Sequence, residues 1–322
     1  MLSDVLQVVH ATGAIFFAVE GRPPWVAAMP AASRIAGSVM PDAEHVMMFH
    51  AVLDGECWAE LEDAVMPPVR LTPGDIIVMP MGDAHVLGSA PGLRREPDAG
   101  PLHRHAERPL PAVIGQGDGA GPRARFVCGY IGCRARPFNP ILSALPRVLV
   151  TPSDRALAHL MQMLEAAVNE TVLHRTGGET VLSKMAELIL VEVVRRHVDE
   201  LPEHSASWLA SLRDPHVGAA LHLIHARPAE AWTVERLARE VGQSRAVFAE
   251  RFAQRVHDSP IRYLTKWRMQ RATQLLERPG AQVALVAREV GYDSEAAFNR
   301  AFSRHVGVPP GAWRSGRRPS GT

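Results

Sequence analysis

The chain has 322 residues, 47% of them hydrophobic and 21% charged, which is enough for two domains with buried cores and excludes a largely disordered protein. The formal net charge is +1, but residues 216–322 contain 17 Lys and Arg against 9 Asp and Glu, whereas residues 1–215 contain 18 against 25. A basic C-terminal third after an acidic remainder indicates a sensor or an enzyme fused to a nucleic-acid-binding domain.

Export, membrane insertion and a disulfide scaffold are not expected. Residues Met1–Asp4 lack the basic segment of a signal peptide, and no uninterrupted apolar run approaches 18 residues. Three cysteines in a chain of this size fit a reducing compartment. We therefore expect a cytoplasmic protein that does not contact a membrane.

Residues 1–150 have the pattern of an antiparallel β-barrel or β-sandwich. Short apolar runs are separated by Gly, Pro and Asp residues at the intervals typical of such folds. These runs are Ile15–Val19, Val46–Leu53, Ile76–Met79 and Phe126–Ile131.

One segment of this region resembles the second conserved motif of cupin barrels. In Gly74–His85 (GDIIVMPMGDAH) the residues Gly74, Pro80, Gly82 and His85 stand at the intervals of that motif. The resemblance implies a cupin-like barrel in which the glycines turn between strands and His85 points into the barrel mouth.

The metal ligands of catalytic cupins are only partly present. Those enzymes usually supply two histidines and a glutamate from a first motif; with Gly55 aligned, Met48 stands at the glutamate position and the paired histidines are absent. Alternation along a strand nevertheless places Met48 and His50 on the same face. His50, His85 and Cys128 can then converge, and imidazole with thiolate suits zinc or another transition metal.

Two alternatives to a metal site stay open. His50 and His85 can be hydrogen-bonded barrel residues beside a buried free cysteine, or they can be the polar anchors of an organic effector.

The segment Gly88–Pro122 contains 13 Gly and Pro residues, which predicts a long mobile loop. Within it, His103 and His105 either supply a further ligand or are solvated.

Two amphipathic helices are predicted between residues 153 and 198. Each has a stripe of Leu, Ile, Val and Met residues on one face, and Gly177 and Gly178 separate the two. These stripes either dimerise the protein or pack on its own barrel.

The last hundred residues contain a duplication. Leu237–Gly242 (LAREVG) recurs as Val286–Gly291 (VAREVG), and the pair Phe248 and Phe252 recurs fifty residues later. A repeat of this length that contains helical spacing indicates two copies of one helical unit.

Each copy has the layout of a helix-turn-helix unit. A short helix ends at a glycine that can take the left-handed conformation, and a capping serine, Ser244 or Ser294, begins a second helix. The paired phenylalanines face inward, which leaves the opposite face of the second helix for a DNA groove. Pro260–Leu276, with Ser259 at its N-cap, is predicted to connect the two units.

Residues 216–314 resemble the C-terminal DNA-binding domain of AraC/XylS-family bacterial transcription regulators. The resemblance is carried by Val286–Phe302 (VAREVGYDSEAAFNRAF) and completed by Val306–Arg314 (VGVPPGAWR). It implies seven helices, of which two recognition helices enter successive segments of the major groove. Residues 1–150 likewise resemble the cupin-type sensor domain of an AraC subfamily.

The resemblance also implies which residues contact DNA. They are Ser244, Arg245, Ala246, Ala249, Glu250 and Arg251 on the first recognition helix, and Ser294, Glu295, Ala296, Asn299, Arg300 and Arg304 on the second. One position departs from the family's pattern, because the arginine often found at Glu250 is missing. A carboxylate there repels phosphate or accepts from a cytosine amine, and Arg245 and Arg251 are then expected to contact phosphate.

The predicted protein is a multidomain α+β chain. It has a cupin-like sensor barrel (1–150), a helical linker (151–213), a double helix-turn-helix domain (214–315) and a tail (316–322). The predicted function is a promoter-binding transcription regulator, not an enzyme, controlled by a small molecule, a metal or a redox signal. Its expected partners are RNA polymerase and a second copy of the chain. The rival is a cupin metalloenzyme, a dioxygenase or isomerase, fused to a DNA-binding domain.

Overall fold

The computed structural model describes residues 11–97, 112–117, 119–135, 137–172, 177–202, 205 and 207–316. They fall into two units. The sheet unit consists of the described residues of 10–134 and 145–199, and the helical unit of residues 135–144 together with those from 200 onward. Each unit has a hydrophobic core of its own.

The described residues contain ten strands and twelve helices. The strands are β1 (Ala11–Gly21), β2 (Val26–Met29), β3 (His45–Asp54), β4 (Cys57–Leu61), β5 (Val69–Leu71), β6 (Ile76–Met79), β7 (His85–Gly88), β8 (Ala112–Gln116), β9 (Ala124–Cys133) and β10 (Leu149–Thr151). The helices are α1 (Ala32–Val39), α2 (Pro140–Ala144), α3 (Arg155–Val172), α4 (Gly178–Glu200), α5 (Trp208–Ser211), α6 (Val217–Ala226), α7 (Val234–Glu240), α8 (Arg245–Val256), α9 (Pro260–Leu276), α10 (Val283–Glu289), α11 (Glu295–Val306) and α12 (Pro310–Arg314). None of the helices in these residues combines the length and apolarity that crossing a bilayer requires.

The sheet unit has two sheets around one core. Six strands pair in the order β10-β6-β3-β9-β1-β8, and four pair in the order β2-β7-β4-β5. Inward side chains from both sheets, such as Phe17, Val52 and Leu87, belong to the same buried cluster. The expected cupin-like β-fold is confirmed, as two sheets that enclose a common core.

The prediction of one long loop over Gly88–Pro122 is wrong in part. Ala112–Gln116 forms β8, which pairs in parallel with β1 from Phe17 to Gly21. The high Gly and Pro content of the whole segment concealed the short apolar run that forms this strand. His103 and His105 lie outside the described residues.

Helices α3 and α4 belong to the sheet unit, and both bury the predicted apolar stripes. Asp154 begins α3, since its Oδ1 accepts from the backbone N–H of Leu157 at 2.8 Å. The buried stripe residues are Leu157, Met161, Leu164 and Val168 in α3, and Leu182, Met185, Ile189 and Val193 in α4. Packing of the stripes within their own unit is therefore observed.

The helical unit has the predicted seven helices from Val217 to Arg314, all in the described residues. Helix α7 is followed by Gly242 and α10 by Gly291, and their φ values of 68° and 86° lie in the left-handed region that favours glycine. The four repeated phenylalanines, Phe248, Phe252, Phe298 and Phe302, are fully buried. Both helix-turn-helix units are thus formed.

The described residues of 135–144 pack in the helical unit, although the chain on either side of them belongs to the sheet unit. The backbone N–H of Phe138 donates to Oε1 of Gln270 at 3.1 Å, and its ring packs edge-on against Tyr263 with ring centroids 5.4 Å apart. This short segment is therefore anchored on α9, the helix that connects the two helix-turn-helix units.

Candidate functional site

The core of the sheet unit contains three polar side chains in mutual contact. His50 on β3 lies opposite Cys128 on β9, and its Nδ1 is 2.7 Å from the Cys128 Sγ. The Nε2 of His50 is 2.6 Å from the Nε2 of His85, which lies on β7 in the other sheet. The Nδ1 of His85 is 2.8 Å from the backbone carbonyl oxygen of Asp83. The structure thus brings together His50, His85 and Cys128, which form the polar cluster.

Burial keeps the polar cluster uncharged. Burial holds the pKa of His50 well below its usual value, and the neighbouring His85 lowers it further. Burial also lowers the pKa of His85 to about 4 and raises the pKa of the Cys128 thiol well above its usual range. At neutral pH all three groups are therefore neutral, and Cys128 lacks the thiolate character of a reactive cysteine.

The hydrogen bonds of the polar cluster then determine where each proton lies. Because the Asp83 carbonyl can only accept, His85 carries its hydrogen on Nδ1 and offers the Nε2 lone pair. His50 consequently donates from Nε2, which leaves its Nδ1 to accept from the thiol of Cys128. Every buried polar atom of this cluster has a partner.

A single ion cannot be bound by all three residues as they are placed. Nδ1 and Nε2 lie on opposite sides of the His50 ring, with Cys128 beside one and His85 beside the other. In the described part of the chain, no group of three or more His, Cys, Asp and Glu side chains is arranged to hold a metal ion. The two Nε2 atoms, however, face each other, so an ion between them would replace their hydrogen bond.

A cavity of about 400 Å³ opens beside His85. Apolar side chains, including Met29 and Val86, form part of its wall. The charged residues of the wall are Glu62, Arg94, Arg95 and Glu96. Four of the nine lining residues are thus charged, which favours a small polar molecule over an apolar one.

The two recognition helices of the helical unit are α8 and α11. Each begins at the predicted capping serine: the Ser244 Oγ accepts from the N–H of Val247 at 3.4 Å, and the Ser294 Oγ accepts from that of Ala297 at 3.2 Å. Of the twelve residues expected to contact DNA, nine are exposed: Ser244, Arg245, Ala246, Glu250, Ser294, Glu295, Ala296, Arg300 and Arg304. Ala249, Arg251 and Asn299 are half-buried.

Arg251 has a structural partner that the sequence did not indicate. Its Nε and Nη2 lie 2.9 and 2.8 Å from Oδ2 of Asp214, whose side chain is only 3% exposed. Asp214 also accepts from the backbone N–H groups of His216 and Val217, both at 3.0 Å. Arg251 therefore ties α8 to the start of α6, and its expected phosphate contact stays a prediction.

Gln254 lies on the exposed face of α8 and was not among the expected DNA contacts. Its Nε2 donates to Oε1 of Glu250 at 3.2 Å. The signal that could have found it is the repeat, because a shift of fifty residues places Gln254 opposite Arg304.

Comparison with known proteins supports both units. Residues 1–199 match a cupin family, and residues 237–316 match a helix-turn-helix domain family. An AraC-like transcription regulator of Streptomyces lividans is 35% identical over 290 residues, which cover 88% of this chain and 92% of that protein. Another, of Streptomyces antibioticus, is 32% identical and covers 89% and 94%. The HTH-type transcriptional regulator AlkR of Acinetobacter baylyi is 27% identical and covers 97% and 98%.

The neutral polar cluster predicts how stability depends on pH. Unfolded histidine binds a proton near pH 6.5, whereas folded His85 does so only near pH 4, so the unfolded state binds more protons in this window. The free energy of unfolding should then fall as pH falls from about 6.5 to about 4, by up to about 1.4 kcal/mol per pH unit for each buried histidine.

Chemical unfolding of the full chain across this pH range measures the effect. His85→Gln should reduce the dependence on pH, and Cys128→Ser should keep it, because a serine hydroxyl can still donate to Nδ1 of His50. An equal slope in wild type and His85→Gln would contradict a neutral His85.

Proposed function

The chain belongs to the family of AraC-like transcription regulators, and on that premise we propose that it binds promoter DNA in a sequence-specific manner and acts with RNA polymerase in the cytoplasm. The observation that carries this proposal is the pair of recognition helices, α8 and α11. Each buries a phenylalanine face and exposes a polar face of the size and chemistry that enters a major groove. The cupin domain is the sensor that controls this binding.

Binding should depend on arginine and on salt. Arg300 is exposed on α11. Arg300→Ala should therefore weaken the free energy of binding to the specific site by roughly 1–3 kcal/mol and relax the base preference at one base pair. Measured by titration of labelled duplexes, the affinity of the full chain should also fall with salt, with a slope of roughly −0.9 per phosphate contact.

A control variant is Arg70→Ala, which removes an exposed positive charge from β5, outside α3 and α4, and should leave DNA affinity nearly unchanged. If Arg300→Ala weakened binding to all sequences equally, Arg300 would be a phosphate contact. Affinity without salt dependence would remove the electrostatic part of the proposal.

The proposed signal is a transition-metal ion bound between the Nε2 atoms of His50 and His85. The Asp83 carbonyl accepts from Nδ1 of His85, as outer-shell partners orient metal-binding histidines. His50 would have to move its proton from Nε2 to Nδ1 and donate it to the Cys128 sulfur. In this proposal Cys128 positions a ligand and is not a ligand itself. Because zinc–nitrogen bonds are about 2.0–2.1 Å long, two nitrogens on one ion lie farther apart than the observed 2.6 Å. Binding would therefore separate β3 from β7.

Metal analysis of the purified protein tests this signal. Wild type reconstituted with zinc should bind about one equivalent, His85→Ala should lose it, and Cys128→Ala, which removes the partner of His50 Nδ1, should bind roughly 10–100-fold more weakly. Affinity should fall at acid pH, because protons compete for the nitrogens. Less than about a tenth of an equivalent in wild type would end the metal proposal. The cavity beside His85, with an organic effector, would then be the working site.

The proposed assembly is a homodimer formed through α3 and α4. These helices bury one apolar stripe each, yet they also expose large apolar side chains, Met163 on α3 and Val181, Leu188 and Val191 on α4. The spacing of the three α4 residues places them on one side of the helix. A second copy of the same surface would cover them.

Leu188→Glu should convert the dimer into a monomer, as measured by analytical ultracentrifugation of the full chain. Val65→Glu is the matched control, because Val65 is an exposed apolar residue of the sheet unit that lies outside α3 and α4, and it should leave the dimer intact. A wild-type protein that is strictly monomeric at micromolar concentration would defeat the proposal.

A further inference from the structure

The two recognition helices present different chemistry at equivalent positions. A shift of fifty residues superimposes the buried phenylalanines of α8 on those of α11 and pairs Glu250 with Arg300 and Gln254 with Arg304. All four side chains are exposed, on the side of each helix opposite the phenylalanines. At these two positions α8 therefore presents a carboxylate and an amide where α11 presents two guanidinium groups.

On α8, the carboxylate and the amide are already in contact. The Nε2 of Gln254 donates to Oε1 of Glu250 at 3.2 Å. The groups that remain available are the second carboxylate oxygen of Glu250 and the amide oxygen of Gln254, which accept, and the second N–H of the Gln254 amide, which donates. Such a pair fits a base that offers a hydrogen-bond donor in the major groove, and a carboxylate there accepts from the N4 amine of cytosine.

Two arginines near Glu250 in the first recognition helix form ion pairs with other carboxylates. Arg245 forms an ion pair with Glu235, and Arg251 forms one with the buried Asp214. Glu250 itself has no ion pair within the described residues, so its charge is not neutralised before DNA arrives. A free carboxylate close to phosphate is unfavourable on most sequences, and it becomes favourable only where a base supplies a donor.

On α11 the equivalent two positions are occupied by arginines. In the part of the chain that the structure describes, neither Arg300 nor Arg304 takes part in an ion pair. A guanidinium in the major groove makes two hydrogen bonds to the O6 and N7 acceptors of guanine, or binds phosphate. This helix can therefore supply both affinity and a contact with guanine.

We propose that the two units read opposite base chemistries: Glu250, oriented by Gln254, selects a cytosine amine, and Arg300 selects a guanine about one helical turn away. The inference rests on the proposed function and adds the specificity of its first helix-turn-helix unit. The operator is consequently asymmetric. The first unit supplies discrimination, because it penalises sites that lack the donor, while α11 supplies much of the affinity.

Selection of binding sites from random duplexes with the full chain tests this inference. Glu250→Gln should lose the preference for cytosine at one position, by roughly 5- to 150-fold, and should bind unrelated DNA more tightly than wild type. Gln254→Ala should show a smaller loss at the same position. Arg300→Ala should lose the preference for guanine at a position about ten base pairs away and keep the preference for cytosine.

The matched control is Glu240→Gln, which removes an exposed carboxylate from α7 in the same unit and should leave the selected motif unchanged. Because Glu250 and Gln254 are exposed, their variants are expected to fold, and thermal melting verifies this. An unchanged cytosine preference in Glu250→Gln would overturn the inference and leave promoter binding intact. A wild type that selects no motif would overturn the proposed function and the inference with it.

Discussion

The hydrogen bond between the Nε2 atoms of His50 and His85 is the contact on which the arrangement of the sensor core depends. It joins two sheets whose shared interior is otherwise almost entirely apolar. An unpaired ring nitrogen in such an interior would be costly, so each of the other nitrogens needs a partner. Cys128 and the Asp83 carbonyl provide these partners, and burial keeps the whole set neutral. Any ligand that competes for Nε2 must therefore disturb the contact between the sheets.

The helical unit uses charge for two separate purposes. Asp214 is buried, and it is satisfied by two backbone N–H groups and by Arg251, so this arginine contributes to the fold. Arg300 and Arg304 lie on the exposed face of α11 and are directed to solvent. A count of basic residues does not separate these roles, because only the position of the carboxylates decides which guanidinium groups are already paired.

The two copies of the helix-turn-helix unit show why fold and specificity can differ within one repeat. Their phenylalanines fill the same space in each core, where a change of volume is costly. Glu250 and Arg300 occupy equivalent exposed positions, where the fold tolerates either charge. The shared fold of α8 and α11 therefore leaves the chemistry of the DNA-facing surface free to differ.

Local patterns determined most of the architecture from the sequence alone. The serine caps, the glycine turns and the helical spacing of the phenylalanines are short-range features, and strand alternation places His50 on the same face as Met48. The inward direction of His85 was expected from the resemblance to cupins. Tertiary structure decided the rest. It assigned one ring nitrogen of His50 to each partner, paired Arg251 with Asp214 across 37 residues, and placed β8 beside β1. These contacts join residues far apart in the chain, and packing selects them, so no local pattern in the sequence specifies them.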